Sequence, residues 1–221
     1  MCGRYGFTTS DEELSNRFDL ETIGFDLRDS WNVAPTHEMP VIEKHSPNAA
    51  YLRKWGVFPG FMKGGILINA QAEKVATSPI WKKAYLESRC IVPFNFFYEW
   101  KVLKDGKQPY LIAVKDKKLM GFAGLVVTTK NKDGEEHTGY VIITTSANPL
   151  MREIHNTKHR MPVILTKEHE EIWLNPDNAD DEIVSKCLTQ YPESDMEAYM
   201  VSSLVNKPAN NFPELMKEFK E

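Results

Sequence analysis

Cys2 follows the initiator directly in "MCGRYGF", so removal of Met1 leaves a cysteine that carries a free α-amine. A terminal cysteine is a 1,2-aminothiol, a group that no other position in a protein offers. An α-amine titrates at about 7.7–8.0, against about 10.4 for lysine, so a useful fraction is nucleophilic at neutral pH. The thiol titrates at about 8.5 and is readily lowered by a neighbouring cation, for which Arg4 is the candidate. Against an aldehyde the amine forms an imine, and the adjacent sulfur then closes a five-membered thiazolidine. That second step is intramolecular, so proximity favours it by orders of magnitude. Taken alone, a cysteine at position 2 is also what chance produces.

The other cysteines, Cys90 and Cys187, are far apart in the 221-residue chain and form no CxxC pair. That spacing argues against a zinc knuckle or a redox couple, and small buried apolar residues are the simpler reading. No metal and no organic cofactor is expected. The net charge of −4 does not advertise nucleic-acid binding, but it hides an asymmetry. Residues 166–221 carry 5 Lys and Arg against 13 Asp and Glu, whereas residues 1–165 carry 22 against 18. An anionic partner should therefore meet the first three-quarters of the chain, through a local patch. No apolar run approaches the roughly 20 residues of a membrane span. The first twenty residues are polar and acidic rather than leader-like, so a cytoplasmic protein is expected.

These residues must be held by short elements. Ser10 and Glu13 form a capping-box signature for a first helix. "MPVIE", "YLRKWGVF" and "GGILINA" read as strands, and "TSPIWKKAYLES" as a helix with Ser78 as cap and Pro79 at its first position. "RCIVPFNFFYEW", "PYLIAV", "LMGFAGLVV" and "GYVIITT" read as further strands, with a turn at "KDGK". "SANPLMREIHN" is predicted helical and "MPVILT" a strand; "TKEHEEIWL" and "DDEIVSKCL" are predicted as acidic surface helices. The sum is an α+β chain, one domain over residues 1–221, built on a curved, mainly antiparallel, barrel-like sheet with flanking helices. An acidic helical part is expected from about residue 166.

Six fragments occur in order: "MCGRY", "WNVAPT", "RKWGVFPGF", "NAQAE", "RCIVPFNFFYEW" and "RMPVIL". Together they resemble the SOS-response-associated peptidase (SRAP) family, the abasic-site processing proteins, over three-quarters of the chain. The resemblance implies covalent capture of abasic sites in single-stranded DNA through the terminal cysteine, with lyase and self-cleaving peptidase activities also assigned to members. An abasic site is partly a ring-opened sugar aldehyde, the electrophile that a 1,2-aminothiol traps. Glu99 in "FYEW" then reads as a desolvated acid/base of raised pKa; its plainer reading is a strand glutamate facing solvent. Asn69 matches the family asparagine expected to hydrogen-bond the sugar or orient the amine; otherwise it is a turn residue. Gln71 stands where the family commonly has arginine, which removes a bidentate phosphate fork. Glu73 is expected to order this loop.

The family histidine has two candidates in "EIHNTKHRMP". His155, with a longer following loop, fits "IHN" and is preferred; His159, beside Arg160, is the alternative. Single-stranded DNA is held by cations beside flat or apolar side chains. Arg4, Arg53, Lys54, Lys158 and Arg160 supply charge, Trp55 and Phe58 supply platforms, Gln71 a weaker backbone contact, and Met161 part of the cleft floor. The plainer reading of Trp55 and Phe58 is core, and at least one of them is expected to be so. Phe61 stands where a tryptophan is common. A monomer is expected. Two other readings compete. Class II glutamine amidotransferases, N-terminal-nucleophile amidohydrolases, also begin Met-Cys-Gly, but their G-H-x-R-[WY] and N-G-D-type segments do not appear here. The other is a non-catalytic single-strand-binding module in which Cys2 is incidental.

Overall fold

The alternation in "FFYEWKVL" and the nearly continuous apolar run of "MGFAGLVV" describe two kinds of strand, one with two different faces and one enclosed on both sides. The computed structural model, which describes residues 2–62, 65–130, 132–178 and 181–219, contains both. Its first half runs β1 (Arg4–Phe7), α1 (Asp11–Phe18), β2 (Thr22–Ile23), β3 (Ser30–Val33), β4 (Glu38–Glu43), β5 (Ser46–Trp55) and β6 (Asn69–Gln71). Next come α2 (Lys82–Glu87), β7 (Arg89–Phe94), β8 (Phe96–Leu103), β9 (Gly106–Val114), β10 (Met120–Lys130) and β11 (Glu136–Ser146). The chain continues with α3 (Pro149–Ile154), β12 (Arg160–Pro162), β13 (Ile164–Leu165), α4 (Lys167–Leu174), α5 (Asp181–Ser185) and β14 (Met196–Met200). No helix is long and apolar enough to cross a membrane among the described residues.

Strands β11, β10, β7, β4 and β5 follow one another in one sheet, and a parallel pairing of β5 with β11 closes them into a five-stranded barrel. The seam depends on glycine. A Cβ at Gly139 would run into the carbonyl oxygens of Gly56 and Lys54, and Gly56 itself has φ +105°. A second sheet, in the order β14-β9-β8-β1-β3, lies against the barrel. One face of it sends Tyr5, Phe97 and Ile112 into the main core with Trp55, Phe94, Phe122 and Tyr140. Phe94 and Phe122 stack with ring centroids 3.5 Å apart, and Tyr5 sets its edge on both Trp55 and Phe122.

Several boundaries differ from the sequence expectation. "RCIVPFNFFYEW" is two strands in two sheets, β7 and β8, split at Asn95, whose side chain bridges Thr8 N and the Lys118 carbonyl. The helix expected from Ser78 starts only at Lys82, although the Ser78 carbonyl already accepts from Trp81 and Lys82. "GGILINA" keeps regular pairing only from Asn69, and its first residue, Gly64, lies with Lys63 outside the described residues. The acidic part from 166 is helical only through α4 and α5. After that, β14 joins the second sheet, and 3-10 turns at Ser203–Asn206 and Pro213–Met216 bring Val205 and Leu215 onto its outer face with Phe96, Tyr98 and Leu111. Burying that face outweighs the helical periodicity of a charged segment.

Candidate functional site

Cys2 lies just before β1 and is fully buried. Its carbonyl accepts from Asn69 Nδ2 at 2.9 Å, which ties the N-terminus to the first residue of β6. Parallel pairing of β6 with β11, Asn69 opposite Ile142, fixes that asparagine. Asn69 Oδ1 is buried with no hydrogen-bond partner among the described residues. The Cys2 thiol is pushed up to about 12, first by burial and then by the nearby Glu99 carboxylate. The expectation that Arg4 would lower it fails, because that guanidinium points elsewhere. Arg4 Nη1 donates to Asn32 Oδ1 at 3.0 Å and to the Val205 carbonyl at 2.9 Å.

Glu99 is on β8, one residue beyond Tyr98, the last to pair with β1, and is buried rather than solvent-facing. Its Oε1 accepts from Trp100 N at 3.1 Å, and its Oε2 lies 3.9 Å from His155 Nδ1. His155 ends α3, whose start is capped by Asn148 with Pro149 at the first position. The His155 Nδ1 atom is 2.9 Å from the Arg160 carbonyl and 3.3 Å from Arg160 N, so the Arg160 main chain holds the ring in place. His159, the alternative, is exposed in a left-handed conformation (φ +49°) and meets the site only through its main chain.

The expected DNA contacts divide. Lys158 is exposed beside the cleft. Lys54, Gln71 and Phe58 are half-buried, Phe58 with its ring against His137. Four others are corrected. Trp55 is wholly buried, stacked on Tyr140 and donating to the Ile68 carbonyl, so it is core and offers no base a platform. Met161 is buried too, its sulfur accepting from Asn148 N. Arg53 is paired with the buried Glu43 at 2.7 Å. Arg160 forks onto Glu73 at 2.6 and 2.9 Å and also donates to the Thr144 carbonyl, so Glu73 does order this loop, by occupying the arginine.

Glu99 and His155 lie at the bottom of a cleft of about 450 Å³, with Trp100 and Asn206 beside them and Lys107 and Lys158 at the rim. Trp100 Nε1 donates to Asn206 Oδ1 at 2.7 Å. Trp100 was visible in "FYEW"; Asn206 and Lys107 carry no sequence signal and join the site only through folding. A larger hollow, about 1030 Å³, lies at the other end of β1 among Thr8, Arg17, Lys118 and Tyr191 and contains none of this chemistry. No group of three His, Cys, Asp or Glu side chains that could hold a metal occurs among the described residues.

A family profile described as "SOS response associated peptidase (SRAP)" matches residues 1–208. The abasic site processing protein YoqW of Bacillus subtilis (strain 168) is 39% identical over 225 residues, covering 98% of this chain and 99% of that protein. The abasic site processing protein YedK of Escherichia coli (strain K12) is 28% identical over 233 residues, covering 98% and 99%. Among solved structures, a Bacteroides thetaiotaomicron protein superposes with a TM-score of 0.86 at 29% identity, over 99% of this chain and 100% of that one.

Proposed function

This chain belongs to the SOS response associated peptidase family, whose relatives include abasic site processing proteins, and on that footing we propose that it captures abasic sites in single-stranded DNA covalently through Cys2. The observation that carries the reading is the orphaned Asn69 Oδ1. Its own amide nitrogen holds the Cys2 carbonyl, so a free α-amine on Cys2 would be the nearby donor for an oxygen that has none among the described residues.

In this reading Met1 is removed, and the Cys2 amine adds to C1′ of the ring-opened sugar to give a carbinolamine. Glu99 protonates the departing hydroxyl, water leaves, and the imine forms. The thiol then adds to the imine carbon. With a pKa of about 12 it reacts as the neutral thiol, giving up its proton as the C–S bond forms. Glu99, the carboxylate whose charge that thiol feels, receives the proton, and the ring nitrogen regains one. The product is a thiazolidine crosslink, formed with net loss of one water. His155 moves protons at the sugar oxygen when the ring opens or the crosslink reverses. Lys54, Phe58, Gln71 and Lys158 contact the strand. Elimination of the 3′ phosphate from the imine would give lyase activity, and removal of Met1 by the site itself would be the peptidase step.

The test uses Met1-free protein and single-stranded DNA with one abasic site. A heat-stable adduct on a denaturing gel is expected, and none with Cys2→Ala. Absence of adduct from the wild type refutes capture; an adduct that survives Cys2→Ala refutes the thiazolidine.

A further inference from the structure

Three arginines that the sequence offers to phosphate are spent within the fold: Arg4 on Asn32 and the Val205 carbonyl, Arg53 on Glu43, and Arg160 on Glu73. The positive charge lining the cleft is therefore that of Lys107 and Lys158. Lys107 is at the start of β9, directly opposite Val102 of β8, and Lys158 is in the turn between α3 and β12. Both are exposed, and neither has an ion-pair partner among the described residues. Two separate parts of the chain thus set an uncommitted ammonium at the same opening.

The end of β8 beside them is fixed without a strand neighbour on that side. Asn156 donates to the Val102 carbonyl at 2.9 Å and accepts from Val102 N at 3.0 Å, so both main-chain groups are closed to further strand pairing. Apolar surface remains there: Val102 is 37% and Leu103 49% exposed. Free cations next to an immobile apolar edge match a polyanion that also carries flat, apolar rings.

We propose that Lys107 and Lys158 form a two-point phosphate clamp for single-stranded DNA at the mouth of the Glu99–His155 cleft, with the Val102–Leu103 edge carrying the neighbouring base. The clamp rests on the abasic-site reading of that cleft. An ammonium acts on a phosphate as a point charge, without the fixed fork of an arginine, and so suits a flexible strand.

The test is the salt dependence of binding to a short intact oligothymidine, read by fluorescence anisotropy. Each phosphate neutralised on a single strand contributes about 0.7 to the slope of log K against log salt. Lys107→Ala and Lys158→Ala should each lower the slope by about 0.7, and the double variant by about 1.4. Lys107→Arg should restore it, and Lys83→Ala on α2 should leave it unchanged. Leu103→Ser should weaken binding at unchanged slope, since an apolar contact releases no counterion. A double variant that melts normally and keeps the wild-type slope overturns the clamp. Wild-type protein that shows the slope but forms no adduct refutes abasic-site capture and leaves the clamp standing.

Discussion

His155 Nδ1 and Glu99 Oε2 face each other at 3.9 Å, although 56 positions separate them in the chain and both side chains are buried. That separation is longer than a hydrogen bond and leaves the two groups as neighbours facing the same space, and β8 and α3 bring them there from two different layers. Replacing Glu99 with Gln keeps the shape and removes the proton carrier. Adduct formation should slow by about 10²–10⁴-fold, with binding to intact single strands unchanged. A wild-type rate would take Glu99 out of the mechanism. Crosslink reversal should fail in His155→Ala and persist in His159→Ala; the opposite pattern would return the role to the exposed histidine.

The buried Cys2 thiol should be a poor thiolate. At a pKa of about 12 its ionised fraction at pH 8 is about one part in ten thousand, some three orders of magnitude below an exposed cysteine. Peptide mapping after iodoacetamide treatment should show Cys2 alkylated far more slowly than in the urea-unfolded chain, with the rate still climbing above pH 9. The linkage has a sign. The unfolded thiol ionises first, so stability is lost as pH rises from about 8.5 towards 12. Equal alkylation in folded and unfolded protein at pH 8 would show that the thiol is not held as described.

The Glu73–Arg160 pair should appear on the acid side of the stability profile. The hydrogen bonds from Arg160 hold the Glu73 carboxyl below its usual range. Its contribution is therefore present above the unfolded value of about 4.3 and is lost as pH falls through the lower folded value. Urea unfolding of wild type and Glu73→Gln should differ at pH 7 and differ less at pH 3. An equal difference at both pH values would mean that the charge is irrelevant.

Arg89, the first residue of "RCIVP", should matter to stability and not to chemistry. It is buried and donates to the carbonyls of Trp173, Tyr85, Asn175 and Asn178, gathering the ends of α2 and α4 on one guanidinium. Arg89→Met strips those acceptors of their donor and should cost about 3 kcal/mol in urea unfolding. Adduct formation by the remaining folded protein should be normal. A loss under about 1 kcal/mol would show that water replaces the guanidinium at little cost.

What the sequence revealed follows from how local each signal is. Alternation and turn chemistry marked most strands, and the Ser10–Glu13 capping box is present with both of its hydrogen bonds. The Asn148 cap with Pro149 likewise marks the start of α3. Motif order brought Cys2, Asn69, Glu99 and His155 to attention; in the fold Asn69 holds Cys2, Glu99 acts on the Cys2 thiol, and His155 faces Glu99. Charge was read less well. Arg4, Arg53 and Arg160 look alike in a string, yet each meets an acceptor that lies elsewhere in sequence: Val205, Glu43 and Glu73. Trp55 fails as a platform for the same reason, since only the barrel seam decides that its ring meets Tyr140 instead of solvent. Asn206 was hidden because an acidic composition says nothing about where a 3-10 turn will come to rest.

The clasp between Arg4 and the Val205 carbonyl joins positions 201 apart. A ribosome adding about 5–20 residues per second needs about 10–40 s to travel from the first of them to the second. Until then β1 lacks this restraint, which no local folding can supply. The strand that follows Cys2 is thus anchored by a segment made almost last, so its final fixing waits on synthesis of the acidic part of the chain.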